Sequence, residues 1–399
     1  MELGRLRQLL APGLRGVAAL PTVDDHRRAA RRRLPAMVFD FIDGGADGEL
    51  AVAANRAALD RVLFTPEYLV DVAERDLSTT VFDRPVSLPL ILSPSGLATL
   101  AHPEGELAVA RAAADAGVIF AVSTASGYPL EEIADVAATK SDSRLWFQLY
   151  LWKSEDVVRS LIDRAAAAGY EALVVTIDVP VVGKRERDLR NGMSLPVRVR
   201  PAAIGDAVRH LPWLCRMLQG PEITFANLTE LAPGDSASAI GEYTSRELTD
   251  PARTWDDLAL IRRRWDGPLL VKGVMGVGDA KAAVAAGADG LIVSNHGGRQ
   301  LSSVPGVADV VPAVADAVGD RAEIFLDGGV RRGEDIVKAR ALGATAACGG
   351  RLWYWPLAAG GEAGVRSVLS ILEADVDRTL ALVGRRRYDD VDRSLLHPG

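Results

Sequence analysis

The sequence predicts a protein of the α/β class, folded as one closed (β/α)8 barrel of the TIM type. Eight short apolar segments, rich in β-branched residues, each end in glycine or polar residues. Most are followed by alanine-rich stretches in which apolar residues recur three and four positions apart, as on one face of a helix. Alternating strands and helices predict parallel pairing, and eight such units predict closure into a barrel.

The predicted strands are spread over most of the chain. In order they are 88–95, 118–125, 145–151, 172–179, 268–274, 290–296, 323–329 and 344–350. The predicted helices between them include 105–116, 155–168, 279–286 and 335–342. An open, doubly wound sheet is the alternative. It would usually have fewer strands and a Gly-x-Gly-x-x-Gly turn after the first strand, and no such turn follows Gly96.

Two further elements lie outside this repeat, although we interpret 1–399 as a single domain. Residues 20–62 predict a helical cap of two or three helices, broken at Gly44 and Gly45. Consecutive predicted strands start 21 to 33 residues apart, except for 96 residues between the fourth and fifth (172 to 268). The insert after strand four, 184–250, is of the kind that forms lids or specificity elements. Its apolar patch, 211–218, would rest on the barrel, a neighbouring subunit or a membrane.

Composition excludes several classes of protein. The 399 residues carry a formal net charge of -7, which argues against a nucleic-acid partner. Two cysteines, Cys215 and Cys348, provide neither a disulfide framework nor a set of metal ligands, which fits a reducing cytoplasm. Residues 1–20 lack the apolar core of a signal peptide, and no 18 consecutive residues are apolar. We therefore expect a cytoplasmic protein without metal, with at most a peripheral contact at the inner face of the membrane.

The motif at 294–301, Ser-Asn-His-Gly-Gly-Arg-Gln-Leu, follows the sixth predicted strand directly. The imidazole of His296 titrates near neutral pH and can accept a proton. The guanidinium of Arg299 can hold a carboxylate through two parallel hydrogen bonds. A base beside an anion clamp is what removal of hydrogen from a small acid requires.

The other charged and aromatic residues near the chain's helices have simpler interpretations. A solvated or capping role is expected for the remaining histidines, His26, His102, His210 and His397. The arginines at 27, 28 and 31–33 predict a solvated basic helix face. The tryptophans at 146, 152, 353 and 355 are interpreted as packing residues.

Polar residues follow the predicted strands, at the end where such barrels keep their active sites. They are Ser95, Ser123, Gln148, Tyr150, Thr176, Asp178, Lys272 and Ser294. Two loops, 327–331 and 349–351, each combine a glycine pair with an arginine after the seventh and eighth strands. Because backbone N–H groups freed by glycine can face an anion, these loops predict a phosphate site. The alternative roles are a helix cap for Asp178, a surface charge for Lys272 and a packed core position for Tyr150. Because all three residues are predicted on the catalytic rim of the same barrel, these roles are disfavoured.

These motifs make the chain similar to the family of FMN-dependent L-2-hydroxy acid oxidases and dehydrogenases over about 30–384. They are the motif at 294, Leu-Asp-Gly-Gly-Val-Arg-Arg-Gly at 326, Trp-Phe-Gln-Leu-Tyr at 146 and Thr-Ile-Asp-Val-Pro at 176. The stretches 185–189 and 374–380 most resemble mandelate dehydrogenases. The resemblance implies FMN as cofactor and oxidation of a mandelate-like or lactate-like L-2-hydroxy acid to the 2-oxo acid. It also implies an electron acceptor, either O2, a quinone or a cytochrome, and a homo-oligomer, a tetramer.

The resemblance also implies a role for each matching residue. His296 would be the base and Asp178 its hydrogen-bonded partner, while Arg185 and Arg299 would hold the substrate carboxylate. The hydroxyl of Tyr150 would reach the substrate oxygen, and Lys272 would stabilise the anionic reduced flavin. The remaining FMN contacts would come from Ser95, Gly96, Ser123, Gln148, Thr176, Ser294, Asp327, Gly328, Gly329, Arg331, Gly350 and Arg351.

Three positions depart from the family pattern or bear on the substrate. Phe41 stands where family members commonly have a tyrosine that contacts the carboxylate, so one hydrogen bond worth about 1 kcal/mol is expected to be lost. Gly349 replaces a bulky apolar residue and is expected to loosen the phosphate loop. Ala125 stands where glycolate-specific members carry a large aromatic residue, which favours an aryl or long-chain substrate, such as mandelate, over glycolate.

Two alternative functions remain at this point. One is a family offshoot that oxidises a peptide or carrier-bound substrate, for which Phe41 is the motivation. The other is a non-redox phosphate-binding aldolase or isomerase, in which Lys272 would form a Schiff base. A catalytically silent binding protein is disfavoured because the base and both arginines are present.

Overall fold

The computed structural model describes residues 17, 20–193, 201–232, 234 and 236–398. Its centre is a closed barrel in which all eight strands are parallel, so the predicted fold is confirmed. The strands are β1 Leu90–Leu92, β2 Ile119–Ser123, β3 Arg144–Tyr150, β4 Ala172–Thr176, β5 Leu269–Val274, β6 Gly290–Ser294, β7 Glu323–Asp327 and β8 Ala346–Gly349. Most predicted strands extended too far at their C-terminal ends, because the predicted ranges included the polar and glycine residues that follow each apolar segment, where strand pairing has already ended.

The helices of the described residues alternate with these strands. They are α1 Val23–Arg33, α2 Ala36–Asp43, α3 Leu50–Arg61, α4 Gly105–Ala116, α5 Leu130–Ala137, α6 Glu155–Ala167, α7 Glu186–Asn191, α8 Pro201–Arg209, α9 Leu211–Gln219, α10 Ala237–Glu247, α11 Trp255–Arg262, α12 Val277–Ala285, α13 Val307–Val318, α14 Gly333–Ala341 and α15 Arg351–Val383. None of them is long and apolar enough to cross a membrane.

The barrel interior is filled by side chains from alternate strand positions. Trp146 and Phe325 meet edge to face at its centre, with ring centroids 5.5 Å apart. Phe82, from the turn of the hairpin Thr79–Val81 and Arg84–Val86, packs against both rings and closes the N-terminal end. The interior is therefore a packed core, and any site must lie at the other end.

Helices α1 to α3 form the cap that the sequence predicted. Thr22 caps α1 by accepting a hydrogen bond from the backbone N–H of Asp25, and Gly44 and Gly45 separate α2 from α3. Asn55 of α3 exchanges two side-chain hydrogen bonds of 2.8 Å with Asn295, in the loop after β6. The cap is therefore fixed directly to the loop that carries His296.

The expectation for His26 was wrong. Its side chain is fully buried, because α1 turns the face that carries Val23, His26 and Ala30 inward, and α1 packs against α15. Its Nδ1 lies 3.0 Å from the carbonyl oxygen of Thr22. The charged residues around His26 in sequence lie on the other faces of the same helix.

The insert between β4 and β5 contains α7 to α10. Helix α9 carries the apolar patch 211–218, and Trp213 donates a hydrogen bond of 2.9 Å to the carbonyl of Leu100. Leu211 and Leu218 remain exposed, at 55% and 78%. The patch is therefore fixed to the barrel by one tryptophan while its leucines face outward.

Candidate active site

A cavity of about 540 Å3 opens at the C-terminal ends of the barrel strands. It is bounded by the loops after several strands, by the second cap helix and by the insert. Of the residues predicted from sequence, its walls include Phe41, Ser95, Gly96, Ala125, Tyr150, Arg185, Lys272, His296, Arg299, Asp327, Gly328, Gly329, Arg331, Gly350 and Arg351.

His296 lines this cavity and pairs with Asp178, whose Oδ1 lies 3.0 Å from Nδ1 of the imidazole. Burial lowers the pKa of His296, and Asp178 offsets only part of that effect. Burial acts to raise the pKa of Asp178, but His296 and Lys272 outweigh it and keep that pKa below its usual value. The pair therefore consists of a carboxylate and a neutral imidazole at neutral pH, with the Nδ1 proton directed to Asp178 and Nε2 free to accept a proton.

The backbone around His296 is unusual. His296, Gly297 and Gly298 have φ angles of 57°, 63° and 77°, three successive left-handed conformations. Only glycine adopts this region without strain, so the two glycines are needed to turn the chain sharply after β6. A histidine held in a strained conformation beside a cavity is typical of a functional position.

Two partly buried arginines, Arg185 and Arg299, line the same cavity. Burial lowers the pKa of Arg299 well below its usual value, and the nearby Arg185 and Arg351 add to the shift. Burial also lowers the pKa of Arg185, whose Nε is buried without a hydrogen-bond partner. Asp188, one turn further along α7, contributes the nearest opposing charge to both. Two desolvated guanidinium groups with so little compensation are suited to bind a carboxylate.

Lys272 is at the centre of a buried polar network rather than on the surface. Its Nζ lies 2.9 Å from Oδ2 of Asp327 and donates a hydrogen bond of 3.0 Å to Ser294. Ser93 and Ser294 each donate to Asp327, at 2.7 and 2.8 Å. Burial acts to lower the pKa of Lys272, but Asp327 and Asp178 outweigh it and raise that pKa. The amine therefore stays protonated, which does not suit a Schiff-base nucleophile.

Four predicted polar residues, besides Asp178, lie behind the cavity wall rather than on it. Ser123 donates to Gln148 at 3.2 Å, and Gln148 donates to Thr176 at 3.0 Å, in one buried chain of hydrogen bonds. Ser294 lies behind the wall too, where it bonds Lys272. The side chains of this layer are positioned by the strand register, which pairs Ser123 with Gln148 and Ser294 with Asp327.

The loops after β7 and β8 bring Arg331 and Arg351 together at one end of the cavity. Burial lowers the pKa of Arg331 to about 9, and the neighbouring charge of Arg351 contributes. Arg351 donates hydrogen bonds to the backbone carbonyls of Ile42, Gly44 and Gly297, which leave its charge unneutralised. Two partly buried cations held by neutral acceptors fit a phosphate dianion.

The expectation that Gly349 loosens this loop was wrong. A Cβ atom at position 349 would lie 2.0 Å from Cδ2 of Leu352, which is fully buried. The leucine therefore fills the space that a larger residue at 349 would need. The loop is closely packed at this position.

Part of the cavity wall is apolar. The insert contributes Phe225 and Leu228, together with Leu248 next to α10, and Trp152 follows β3. Ala125 and Gly96 meet so closely that a Cβ at 96 would lie 2.7 Å from that of Ala125. The space beside the polar residues is therefore bounded by small residues on one side and large apolar ones on the other.

A comparison with known proteins identifies this arrangement. Residues 30–398 match the model of the family described as FMN-dependent dehydrogenase. The chain belongs to this family. It is 41% identical to an L-lactate oxidase of Nostoc sp. over 94% of this chain and 97% of that protein. It is 42% identical to a 4-hydroxymandelate oxidase of Amycolatopsis orientalis over 90% of this chain and 93% of that protein.

Solved structures agree with this family assignment. The chain resembles the crystal structure of a monotopic membrane protein, an (S)-mandelate dehydrogenase, with a TM-score of 0.90 and 38% identity, over 95% of this chain and 100% of that one. This FMN-dependent dehydrogenase is therefore a 2-hydroxy acid oxidoreductase, and its cofactor is FMN. The paired arginines after β7 and β8 fit the phosphate of that cofactor. The family assignment therefore argues against the alternative function of a non-redox aldolase or isomerase.

Several residues of the site were not predicted from the sequence. Asp188 and Tyr354 line the cavity, and Tyr354 donates to the carbonyls of Gly96 and Leu97 at 3.0 and 2.6 Å. Asn55 fixes the His296 loop from a distant part of the chain. Asn295 lies inside the motif at 294–301 and could have been found there, whereas Asn55 has no local signal in an alanine-rich helix.

Proposed function

We propose that this enzyme oxidises an L-2-hydroxy acid with an aryl or long apolar side chain to the 2-oxo acid, with His296 as the base. The observation that carries the proposal is that His296, Arg185 and Arg299 line one cavity together with an apolar wall formed by Trp152 and residues of the insert. Bound FMN supplies the acceptor for two electrons. The chain's own residues bind the acid, orient it and hold the proton.

His296 would accept a proton from the CH–OH group of the substrate at Nε2. Asp178 fixes Nδ1 through the 3.0 Å contact and stabilises the imidazolium that forms. Burial raises the pKa of Tyr150, so its hydroxyl stays protonated and can donate to a substrate oxygen. Lys272, protonated and paired with Asp327, would stabilise negative charge on the reduced cofactor.

Arg185 and Arg299 would hold the substrate carboxylate between them. Nη1 of Arg299 donates hydrogen bonds to the backbone carbonyls of Phe41 and Gly44, at 2.6 and 2.9 Å, and these bonds fix the plane of the guanidinium. A fixed plane allows a two-point contact with a carboxylate and orients the α-carbon. The carboxylate would thus set the distance between the reacting carbon and His296.

The apolar wall would receive the substrate side chain. Burying one aromatic ring there favours a mandelate-like acid over glycolate by about 2 kcal/mol. A lactate-like acid, with a single methyl group, would gain less from the same wall. The names of the relatives, an L-lactate oxidase and a 4-hydroxymandelate oxidase, support both classes of side chain for this family.

The phosphate of FMN would be held by Arg331 and Arg351 and by the glycine loops that carry Gly329 and Gly350. Gly329 has a φ of 82°, and a Cβ there would lie 2.6 Å from the carbonyl oxygen of Asn55. Close approach of the loop to α3 therefore requires glycine. The polar side chains behind the wall, Gln148 and Thr176 among them, would supply further hydrogen bonds to the flavin.

The test is reduction of the bound flavin, followed without oxygen, by glycolate, L-lactate, L-2-hydroxyoctanoate and (S)-mandelate. Mandelate or hydroxyoctanoate should reduce it fastest. Faster reduction by glycolate would contradict the substrate preference, and no reduction by any of the four would favour the peptide or carrier-bound alternative. His296→Asn should retain flavin and lower the reduction rate by several orders of magnitude with every active acid.

We also propose that the insert contacts the inner face of a membrane, where a quinone would accept the electrons. Leu211, Leu218, Ile204 and Val208 are exposed on α8 and α9, and the solved relative is a monotopic membrane protein. Arg216 of α9 lies near Arg33, and the two positive charges suit anionic lipid.

Vesicle flotation tests this second proposal. The protein should float with vesicles that contain anionic lipid, and Leu218→Glu should reduce the floated fraction. Absence of protein from the floated fraction would reject the membrane contact, and rapid peroxide formation in air would instead indicate O2 as the acceptor.

A further inference from the structure

The indole of Trp355 lies between two guanidinium groups at the phosphate end of the site. The guanidinium carbon of Arg331 is 4.5 Å from the ring centroid, and that of Arg27 is 5.4 Å from it. Trp355 is one helical turn after Arg351 on α15 and is only 2% exposed. The sequence had suggested a packing role for this tryptophan and a solvated face for Arg27.

Arg331 needs a support that its polar neighbours do not provide. Among the described residues its guanidinium forms no ion pair, and its side-chain hydrogen bond goes to the carbonyl of Val330, at 2.8 Å. Burial and the nearby Arg351 both act against its charge, and Asp24 and Asp335 offset only part of that effect. Without a further contact, the guanidinium would gain by rotating away from Arg351 into solvent.

We propose that Trp355 is a positioning residue for the flavin phosphate, because its ring face holds Arg331 in place. A ring face attracts a cation without taking any of its N–H donors. The five donors of a guanidinium lie in its plane, so stacking leaves them available for phosphate oxygens.

A carboxylate could hold Arg331 equally well, but it would neutralise the charge that a phosphate dianion requires. Arg27, the other arginine in contact with the Trp355 ring, shows the contrast. Arg27 donates two hydrogen bonds to Asp43, at 2.6 and 2.9 Å, and is therefore neutralised. Trp355 thus lies between Arg27, whose charge is neutralised by Asp43, and Arg331, which has no ion pair among the described residues. The positive charge of Arg331 therefore remains available at the cavity.

The experiment measures the choice between FMN and riboflavin, which differ only in the phosphate. Full-length holoenzyme is equilibrated with mixtures of the two flavins, and the flavin retained on the protein is separated and quantified. In Trp355→Leu the preference for FMN should fall about tenfold, the size of one desolvated cation–π contact. Trp355→Phe keeps a ring face and should retain most of the preference.

Controls separate positioning from general loss of structure. Trp265→Leu removes an equally buried indole elsewhere and should change the preference less than about twofold. If Trp355→Leu does not fold, Trp355→Met, which fills more of the space and also lacks a ring, should show the same fall. An unchanged preference in a folded Trp355→Leu or Trp355→Met enzyme, even with less total flavin bound, would overturn the inference.

The inference rests on the proposed assignment of Arg331 to the phosphate, and Arg331→Met distinguishes the two. A lowered preference in Arg331→Met together with an unchanged one in Trp355→Leu rejects the role of Trp355 alone. An unchanged preference in Arg331→Met rejects the assignment of Arg331 and the inference with it. The substrate does not enter either measurement, so the outcome is independent of which hydroxy acid is oxidised.

Discussion

Replacing Asp178 with asparagine tests the proposed base most directly, because it removes one charge and keeps the shape of the side chain. Asp178 lies 3.0 Å from His296 and is 14% exposed, so the pair is largely shielded from water. As His296 gains a proton, the carboxylate stabilises it. For charge centres about 4 Å apart at an effective dielectric constant near 20, that interaction is about 4 kcal/mol.

At 1.4 kcal/mol per tenfold, 4 kcal/mol corresponds to a fall of about a thousandfold in the rate of flavin reduction. A second effect acts in the same direction. The amide of asparagine can donate to Nδ1, which would move the proton of the neutral imidazole to Nε2 and block the accepting atom. Affinity for the acid should change less than about threefold, because Asp178 is behind the cavity wall.

The assay is anaerobic stopped-flow reduction of the bound flavin by the best acid of the panel, over a range of concentrations that separates rate from affinity. Glu171→Gln is a matched control, because Glu171 forms a buried ion pair with Arg144 at the opposite end of the barrel. It should leave the reduction rate within about twofold of the parent. A rate for Asp178→Asn within tenfold of the parent would refute the assigned role of the pair.

The remaining predictions concern the clamp, the cofactor and pH. Arg299→Met should raise KM for the hydroxy acid by about a hundredfold or more and lower kcat as well, since it removes a charge-assisted contact; steady-state kinetics with mandelate measures both. Arg331→Met should weaken retention of FMN during ultrafiltration without changing the rate per bound flavin, and an equal loss of rate would place Arg331 nearer the substrate. Because burial lowers the pKa of His296 below the 6.5 of an unperturbed imidazole, the neutral base is present at pH 7 and is lost as pH falls through that lowered value. Flavin reduction should therefore stay constant from pH 8 to 6.5 and decline only below it, and an acid limb centred above pH 7 would contradict this protonation state.

The fold could be predicted because its evidence is local and repeated. Each strand has its own apolar segment and each helix its own periodicity, so eight independent signals agree. The strand ends could not be predicted as well. Backbone pairing stops where the register ends, for example at Ser294 opposite Asp327, and the polar residues that follow Ser294 give no sequence signal for that end point.

Residues of the cavity could be predicted where a single loop contains the complete motif, as for His296 and Arg299. It was not predicted where two distant segments meet. Asn55 acts on the His296 loop across 240 positions, and Trp355 acts on Arg331 through a ring face that has no sequence signature. His26 was misassigned for the same reason, because burial depends on which helix face meets α15 and not on the charge of its neighbours.

Phe41 shows how the cap alters an inference made from one position alone. From sequence, loss of the tyrosine hydroxyl predicted a weaker hold on the substrate carboxylate. In the structure the ring of Phe41 lies 5.2 Å from the guanidinium carbon of Arg299, and its carbonyl accepts a 2.6 Å hydrogen bond from that arginine. A buried cation–π contact contributes about 1 to 2 kcal/mol, as much as the neutral hydrogen bond that is absent. Phe41 therefore contacts the arginine of the clamp directly. Because the carbonyl of Gly44 accepts a hydrogen bond from both Arg299 and Arg351, the same cap segment orients both cations.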